Sequence, residues 1–367
     1  MSDSNALTSI HYHHYLQLDK LLSAQDLMSV KAGKPAHDEM LFIIVHQVYE
    51  LWFKQIIHEL SSVRDMFRSE SVDERSIGTA VSRLERIISI QKLLIEQIHV
   101  METMTPLDFL DFRNHLFPAS GFQSFQFRQV EVMLGLPSPS RLTYNNQPYH
   151  NVFTDEQRQT LEDTEASGTL FSAIESWLER TPFLHFGDFN FLDSYRAAVS
   201  RMMQREKNAI KEAPLLDEDA KNMRLQILQA NEDYIFSVLD PKSHQQMRDE
   251  GKLRMSYQST IAALLINLYR DEPILHQPYM LLQRLSEIDE WLTAWRTRHA
   301  QMVLRMLGRK MGTGGSSGHD YLAATAAKHA IFHDFHNIST LLIPRSELPI
   351  LPEVVLRNLN FQYSVSQ

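Results

Sequence analysis

Two histidines occupy positions where apolar residues are expected. Leu281, Leu285, Ile288, Leu292, Trp295, His299, Met302 and Met306 recur at steps of three or four, the spacing of one helix face. Phe42, His46, Tyr49 and Phe53 repeat the pattern earlier in the chain. Two long helices therefore each direct one imidazole toward the interior. A buried histidine is more often a hydrogen-bonded core residue than a ligand. The alternative is a cofactor slot, because bundle interiors are where facing helices hold haem and metals. A neutral imidazole is the usual axial ligand of b-type haem where no cysteine is available.

Other residues invite chemical readings of their own. Arg113 lies among Phe109, Phe112 and Leu116 near the end of a largely apolar segment. A lone arginine there is either solvated or clamps a carboxylate with its planar fork. His329, His333 and His336 stand four and three apart on what reads as the last helix, so they could share a face and hold a metal. The pair His58-Glu59 has Ser62 where a zinc protease helix needs its second histidine, so that motif is absent.

Residues 308 to 322, GRKMGTGGSSGHDYL, hold five of the chain's 12 glycines. The stretch fails as a dinucleotide fingerprint because Ser317 stands where the third glycine belongs. It fails as a P-loop because His319 and Asp320 follow Gly318. What remains is a helix stop with a linker, or a loop that closes over a small ligand with exposed N–H groups and hydroxyls.

The elements that must position these groups are helical. Glycine and proline are scarce, at 12 and 14, and no stretch alternates cleanly with a period of two; the fold class is all-α. The pattern predicts helices over about 39–67 and 76–101. A third begins at Thr105, a good N-cap with Pro106 in its first turn. Residues 118–121 break it, and a further helix runs to about Leu136. Residues 137–153 read as a polar loop, and Thr154 with Gln157 resembles a capping box. Residues from about 190 to 250 read as a peripheral helical insertion. The longest helix is expected over about 279–310, and residues from about 342 onward as extended coil.

The 367-residue chain is long enough for one large domain with an ample core. A net charge of −9 argues against nucleic acid as a partner. No cysteine is present, which removes disulfides, iron–sulfur clusters, thiolate-ligated haem and covalently attached haem. The N-terminus lacks a signal-peptide core, and the longest apolar runs are too short to span a bilayer. The expected location is the cytoplasm.

Four blocks carry a resemblance: DEMLFIIVHQVYELWFKQIIHEL, DFRNHLFPASGFQSFQFR, WLERTP and WRTRHAQMVLRMLGRKMGTGGSSGHDYL. They are similar to the signature blocks of the tryptophan 2,3-dioxygenase family, as is the start HYHHYLQLDKLLSAQ. The resemblance extends from about residue 12 to 345. It implies a single all-helical domain that encloses haem b and assembles as a homotetramer. It implies ferrous iron, O2, and opening of the indole ring of L-tryptophan to N-formyl-kynurenine.

Carried over by position, the resemblance makes His299 the haem iron ligand and His46 the residue that contacts the indole N–H. Arg113 would pair with the substrate carboxylate. Thr313, with Gly314 beside it, would contact the ammonium and carboxylate. Phe42, Tyr12, Tyr15 and Leu16 would enclose the indole, with residues 1–20 reaching in from a neighbouring subunit. Ser120 and Gly121 would lie beside the haem, as would Phe42. A closing loop over a zwitterion then becomes the better account of the glycines. Three other readings stay open: a related haem enzyme oxidising another aromatic amino acid, a non-catalytic haem sensor, and a metal-dependent helical enzyme using His329, His333 and His336.

Overall fold

The computed structural model describes residues 10–137, 153–182, 184–186, 189–308, 310 and 318–360. Three short helices lead in: α1 (Tyr12–Tyr15), α2 (Leu18–Leu22) and α3 (Met28–Lys31). The next helix, α4 (Glu39–Phe67), has the predicted bounds. Its first residue, Glu39, is fully buried and accepts the backbone N–H groups of Met28 and Ser29 at 2.8 and 2.9 Å. A carboxylate at a helix N-terminus meets otherwise unpaired donors, so α4 anchors the lead-in.

Helix α5 (Glu74–Met101) starts two residues earlier than predicted because Asp73 caps it, accepting from Ser76 N at 2.7 Å. Helix α6 (Pro106–Arg113) carries the expected Thr105 cap as a reciprocal box with Asp108. A 3-10 turn at Gly121–Gln123 precedes α7 (Phe125–Leu134). Gly135 ends α7 with a φ of 110°. A Cβ there would meet Phe171 Cβ at 2.7 Å, so this stop needs glycine for both backbone and space.

Helix α8 (Asp155–Ala166) begins with the predicted Thr154–Gln157 box, and α9 (Leu170–Glu179) follows. A two-residue hairpin, β1 (His185–Phe186) with β2 (Phe189–Asn190), is the strand content of the described residues. The stretch read as a peripheral insertion forms α10 (Phe191–Glu212), α11 (Glu218–Leu239) and α12 (Pro241–Asp249). It is not wholly peripheral. Phe191 and Tyr195 are fully buried in the main core, and the Tyr195 hydroxyl donates to the Leu341 carbonyl. The charged second half of α10 and most of α11 form the outer layer.

Helix α13 (Tyr257–Leu268) is buried along nearly its whole length. The longest helix, α14 (Pro273–Leu307), starts six residues before its predicted beginning and accommodates Pro278 within its early turns. It packs along α5 and α15 (Gly318–Lys328), while α4 packs along α5 and α7. A short α16 (His333–Asn337) and a closing α17 (Glu353–Leu359) follow. The predicted extended tail is therefore partly helical.

The central layer is bolted by apolar and polar contacts. Leu60, Leu84, Leu285 and Ile288 have no exposed surface; burying each such side chain contributes roughly 1.5–3 kcal/mol. The Tyr49 hydroxyl donates to the Leu94 carbonyl at 2.5 Å, and Gln91 Nε2 donates to the Ile288 carbonyl at 3.1 Å. These bonds set the axial register of α4 and α14 against α5.

By length and composition, α4 would suit a bilayer, contrary to the expectation from its apolar runs. Its polar groups, however, are committed to the bundle. Glu50 accepts from Ser124 Oγ at 2.7 Å and Gln126 Nε2 at 2.8 Å. Glu59 is buried and accepts from Arg86 Nη1 at 2.6 Å.

Candidate functional site

At one end of the bundle a second apolar cluster forms apart from the main core. Val45, Met101, Met104, Phe112 and Met306 are buried there, with Leu41, Phe42, Phe109, Leu116 and Met302 packed against them. It gathers the N-terminal half of α4, the end of α5, α6, and the end of α14. Both stripe histidines belong to this end.

His46 keeps an accessible edge while protein surrounds most of its ring, as for a side chain on the wall of a cleft. Its Nδ1 lies 2.7 Å from the Phe42 carbonyl, one turn earlier in α4. A carbonyl can only accept, so Nδ1 carries a proton. Desolvation lowers the pKa of His46, outweighing that bond and nearby Glu50. Neutral His46 therefore holds its lone pair on Nε2. The Phe42 ring lies 4.1 Å from the His46 ring and packs against Phe109 and Phe112 at 5.7 and 5.6 Å.

His299 follows from α14. Its ring stacks on Trp295 at 5.1 Å with 14° between planes. Trp295 is in turn packed among Tyr49, Phe53 and Phe127. Burial lowers the pKa of His299 to about 4, with a further contribution from the charge of His46. The two imidazoles are thus close enough to feel one another, and His299 is neutral near pH 7. Its Nδ1 is buried and has no hydrogen-bond partner among the described residues.

An ordinary core histidine satisfies its ring nitrogens. His329 is buried with both ring nitrogens unpartnered too, so what marks His299 as fit to hold haem iron is its neutral, desolvated ring, stacked on Trp295 and facing the field of a second imidazole. The neighbouring residue Arg298 pairs with Glu102 at the end of α5, which holds this turn of α14 against the bundle.

Arg113 is the last residue of α6 and is half-buried, on the helix that carries Phe109 and Phe112. Ser120 caps the following 3-10 turn, its Oγ accepting from Phe122 N at 3.4 Å, and Gly121 has open space around its Cα. The Phe122 ring meets Tyr321 of α15 edge-on at 5.1 Å. Ser124 and Gln126 bind Glu50, one turn beyond His46 on α4. The 120s turn is thereby fixed close to the His46 wall.

Tyr12, Tyr15 and Leu16 are exposed within the single chain, the tyrosines at 70% and 69%. Ile10, Leu22 and the α4 residues Met40 and Ile44 are also exposed. Thr313 and Gly314 lie outside the described residues, as does most of the glycine-rich stretch. His299, His46, Phe42, Arg113, Ser120 and Gly121 are assigned to this end of the bundle by these contacts and by chain continuity.

The metal reading of the C-terminal histidines is overturned. The helix stops at Lys328, so the three do not share a face. His329 is buried beside Glu131, His333 approaches Asp334, and His336 approaches Glu290. Among the described residues no cluster of metal-binding side chains forms.

Sequence reasoning also passed over a set of buried charges on α7 and α14: Arg128, Glu131, Asp289 and Arg296. The signal was present. Leu282, Ser286, Asp289, Arg296 and Ala300 are all buried and form a second line beside the apolar stripe of α14.

A family model described as tryptophan 2,3-dioxygenase matches residues 2–342. The tryptophan 2,3-dioxygenase of Bdellovibrio bacteriovorus is 49% identical over 354 residues, covering 96% of this chain and 99% of the relative. That of Alteromonas mediterranea is 48% identical over 351 residues, covering 96% and 97%. Tryptophan 2,3-dioxygenase B of Danio rerio is 46% identical over 344 residues, covering 93% and 84%. The matched range includes every helix that lines the site, and the chain belongs to the tryptophan 2,3-dioxygenase family.

Proposed function

We infer that this chain is a haem-dependent dioxygenase that inserts both atoms of O2 across the C2–C3 bond of the indole of L-tryptophan, giving N-formyl-L-kynurenine. The observation that carries the reading is the pair of neutral imidazoles at one end of the bundle, one backed by Trp295 with an unpartnered Nδ1 and one with a fixed tautomer. His299 would hold the iron of haem b. When bound in the ferrous form, the haem supplies the O2 activation.

The rest is positioning by this chain's residues. Because the His46 Nδ1–H donates to the Phe42 carbonyl, its Nε2 accepts the indole N–H. Phe42, braced by Phe109 and Phe112, forms an apolar wall for the ring. Arg113 takes the carboxylate with its fork, and Thr313 with Gly314 takes the ammonium and carboxylate. Ser120 and Gly121 would lie beside the haem. Fixing both ends of the amino acid selects one ring bond, since misplacement by about 1 Å is costly. Tyr12, Tyr15 and Leu16 complete the indole pocket of a neighbouring subunit in a homotetramer. The cytoplasm is the setting that a cysteine-free chain suits.

The experiment is reconstitution with haem and assay with L-tryptophan under reducing conditions, for the parent and His299→Ala. The parent should develop a Soret band and form product. His299→Ala should stay helical, lose both, and regain part of the spectrum with added imidazole. A parent that binds haem without turnover would be a sensor. A parent that turns over only another aromatic amino acid would move the substrate assignment.

A further inference from the structure

Four chargeable side chains are buried together away from the cleft: Glu131 at 1% exposure, Arg296 at 2%, His329 at 1% and Arg128 at 8%. Glu131 Oε1 accepts from Arg296 Nη2 at 2.6 Å, and its other oxygen pairs with Arg128. His329 Nδ1 makes a longer approach of 3.5 Å to Oε1. The second nitrogen of the Arg296 fork donates to the His329 carbonyl at 3.0 Å. Two turns earlier on α14, Asp289 accepts from Ile331 N at 2.8 Å and Phe332 N at 2.9 Å.

Burial alone would raise the pKa of Glu131, but Arg128 and Arg296, with His329, hold it far below the usual carboxylate range. Glu131 is therefore ionised across the physiological range.

Such a cluster is a poor device for stability. Taking ions out of water is costly, and well-packed apolar replacements are often as stable. What it can supply is register between elements. The elements it joins are the ones that carry the site. Arg296 lies one turn before His299 on α14. Glu131 lies on α7, which continues from the Ser120–Gln123 turn. The His329 carbonyl lies directly after α15, which begins where the glycine-rich stretch ends. One guanidinium bonds both α7 and the end of α15, so the three segments share one fixed point.

We propose that Glu131 and Arg296 are positioning residues that set the rotation of α14 at His299 and the placement of α15 against it. This rests on the reading of His299 as the haem ligand. Neither residue touches substrate. Their effect is carried by helix register into the direction of the His299 imidazole and the placement of α15.

The test uses the reconstituted holoenzyme. Three variants are compared with the parent: Glu131→Gln, Arg296→Lys, and the apolar double variant Glu131→Leu/Arg296→Met. The readouts are Tm, the ferric electron-spin spectrum, the haem reduction potential, the rate of haem loss to an acceptor protein, and kcat and KM separately. Support around a metal ligand is commonly worth roughly 10- to 100-fold in affinity or activity, so haem loss should accelerate by about tenfold or more in the single variants.

The double variant decides the matter. It should recover a Tm near the parent's while its spectrum, potential and haem-loss rate remain displaced. A double variant with parental Tm and parental haem properties overturns the proposal. So does a series in which haem loss only follows Tm, because the cluster would then be a stability element alone. A parent that fails to bind haem overturns the underlying site reading, and is told apart by being seen before any variant is made.

Discussion

The Nδ1–H of His46 donates to the carbonyl of Phe42 at 2.7 Å, within one turn of α4. This bond does two things. It occupies a carbonyl already within the helix ladder, and it assigns the imidazole tautomer by geometry. Desolvation keeps the ring neutral, so the nitrogen left to meet a ligand is an acceptor. An acceptor against an indole N–H orients the substrate without removing its proton.

His46→Ala should therefore weaken catalysis without abolishing it. Leaving one donor unpaired in a shielded site costs about 1–3 kcal/mol, or roughly 5- to 150-fold in kcat/KM. The check is kcat/KM of parent and variant on L-tryptophan and on 1-methyl-tryptophan, which lacks the N–H. The parent should prefer L-tryptophan and the variant should lose that preference. Complete loss of turnover on both substrates would assign His46 a chemical role beyond accepting this bond.

How much of this was legible in the sequence depends on which signal a residue gives. Thr105, Thr154 and the ends of α4 were readable because caps and apolar periodicity are local properties. His46 and His299 were readable because each interrupts an apolar stripe. The start of α14 was not, because Pro278 reads as a boundary while packing carries the helix through it. The three C-terminal histidines were misread because α15 stops at Lys328, where Arg296 and Asp289 clamp the next residues from another helix. The buried charges on α14 escaped notice because a polar line beside an apolar stripe looks like solvent-facing surface. Arg113 and Thr313 carried no decisive local signal, and their roles came from resemblance to the family.

The Glu131 cluster sets an acid limit on stability. Its folded pKa lies below the ordinary 4.5, so the unfolded chain takes up the proton first as pH falls. The stabilisation is present above about pH 5 and is lost as pH drops toward the folded value. Glu131→Gln should be less stable than the parent at pH 7 by on the order of 3 kcal/mol, as when one partner of a buried pair is removed. That gap should narrow between about pH 5 and 3. Urea midpoints of both proteins across this range provide the measurement; a constant gap would mean that Glu131 is already protonated in the native protein.

The exposed N-terminal tyrosines predict a shared site. Tyr12 and Tyr15 are largely exposed within one chain, and under the proposed function they close the indole pocket of a neighbouring subunit. Deleting residues 1 to 17 should leave helical content nearly unchanged and raise KM for L-tryptophan by about tenfold, the loss expected from roughly 1.4 kcal/mol of contact. Light scattering after gel filtration reports the assembly state and steady-state kinetics report the site. A truncated monomer with parental KM would show that each chain builds its pocket alone.

Arg113 offers the sharpest test of how the amino-acid end is held. It ends α6, the helix that brings Phe109 and Phe112 to the apolar cluster, and it is half-buried. A carboxylate met there would make two parallel N–H···O bonds with the guanidinium, and the surrounding rings would exclude water from them. Lysine keeps the charge but loses the fork. Arg113→Lys should therefore lose about 2–5 kcal/mol of transition-state stabilisation on L-tryptophan. The haem spectrum should hardly move, since Arg113 is not an iron ligand. Tryptamine, without the carboxylate, should be a poor substrate for the parent and lose little more in the variant. The comparison is a cycle of two enzymes and two substrates, and its coupling energy is the strength of the contact. If the mutation costs the same on both substrates, Arg113 does not read the carboxylate, and its place at the end of α6 serves the packing of Phe109 and Phe112 instead.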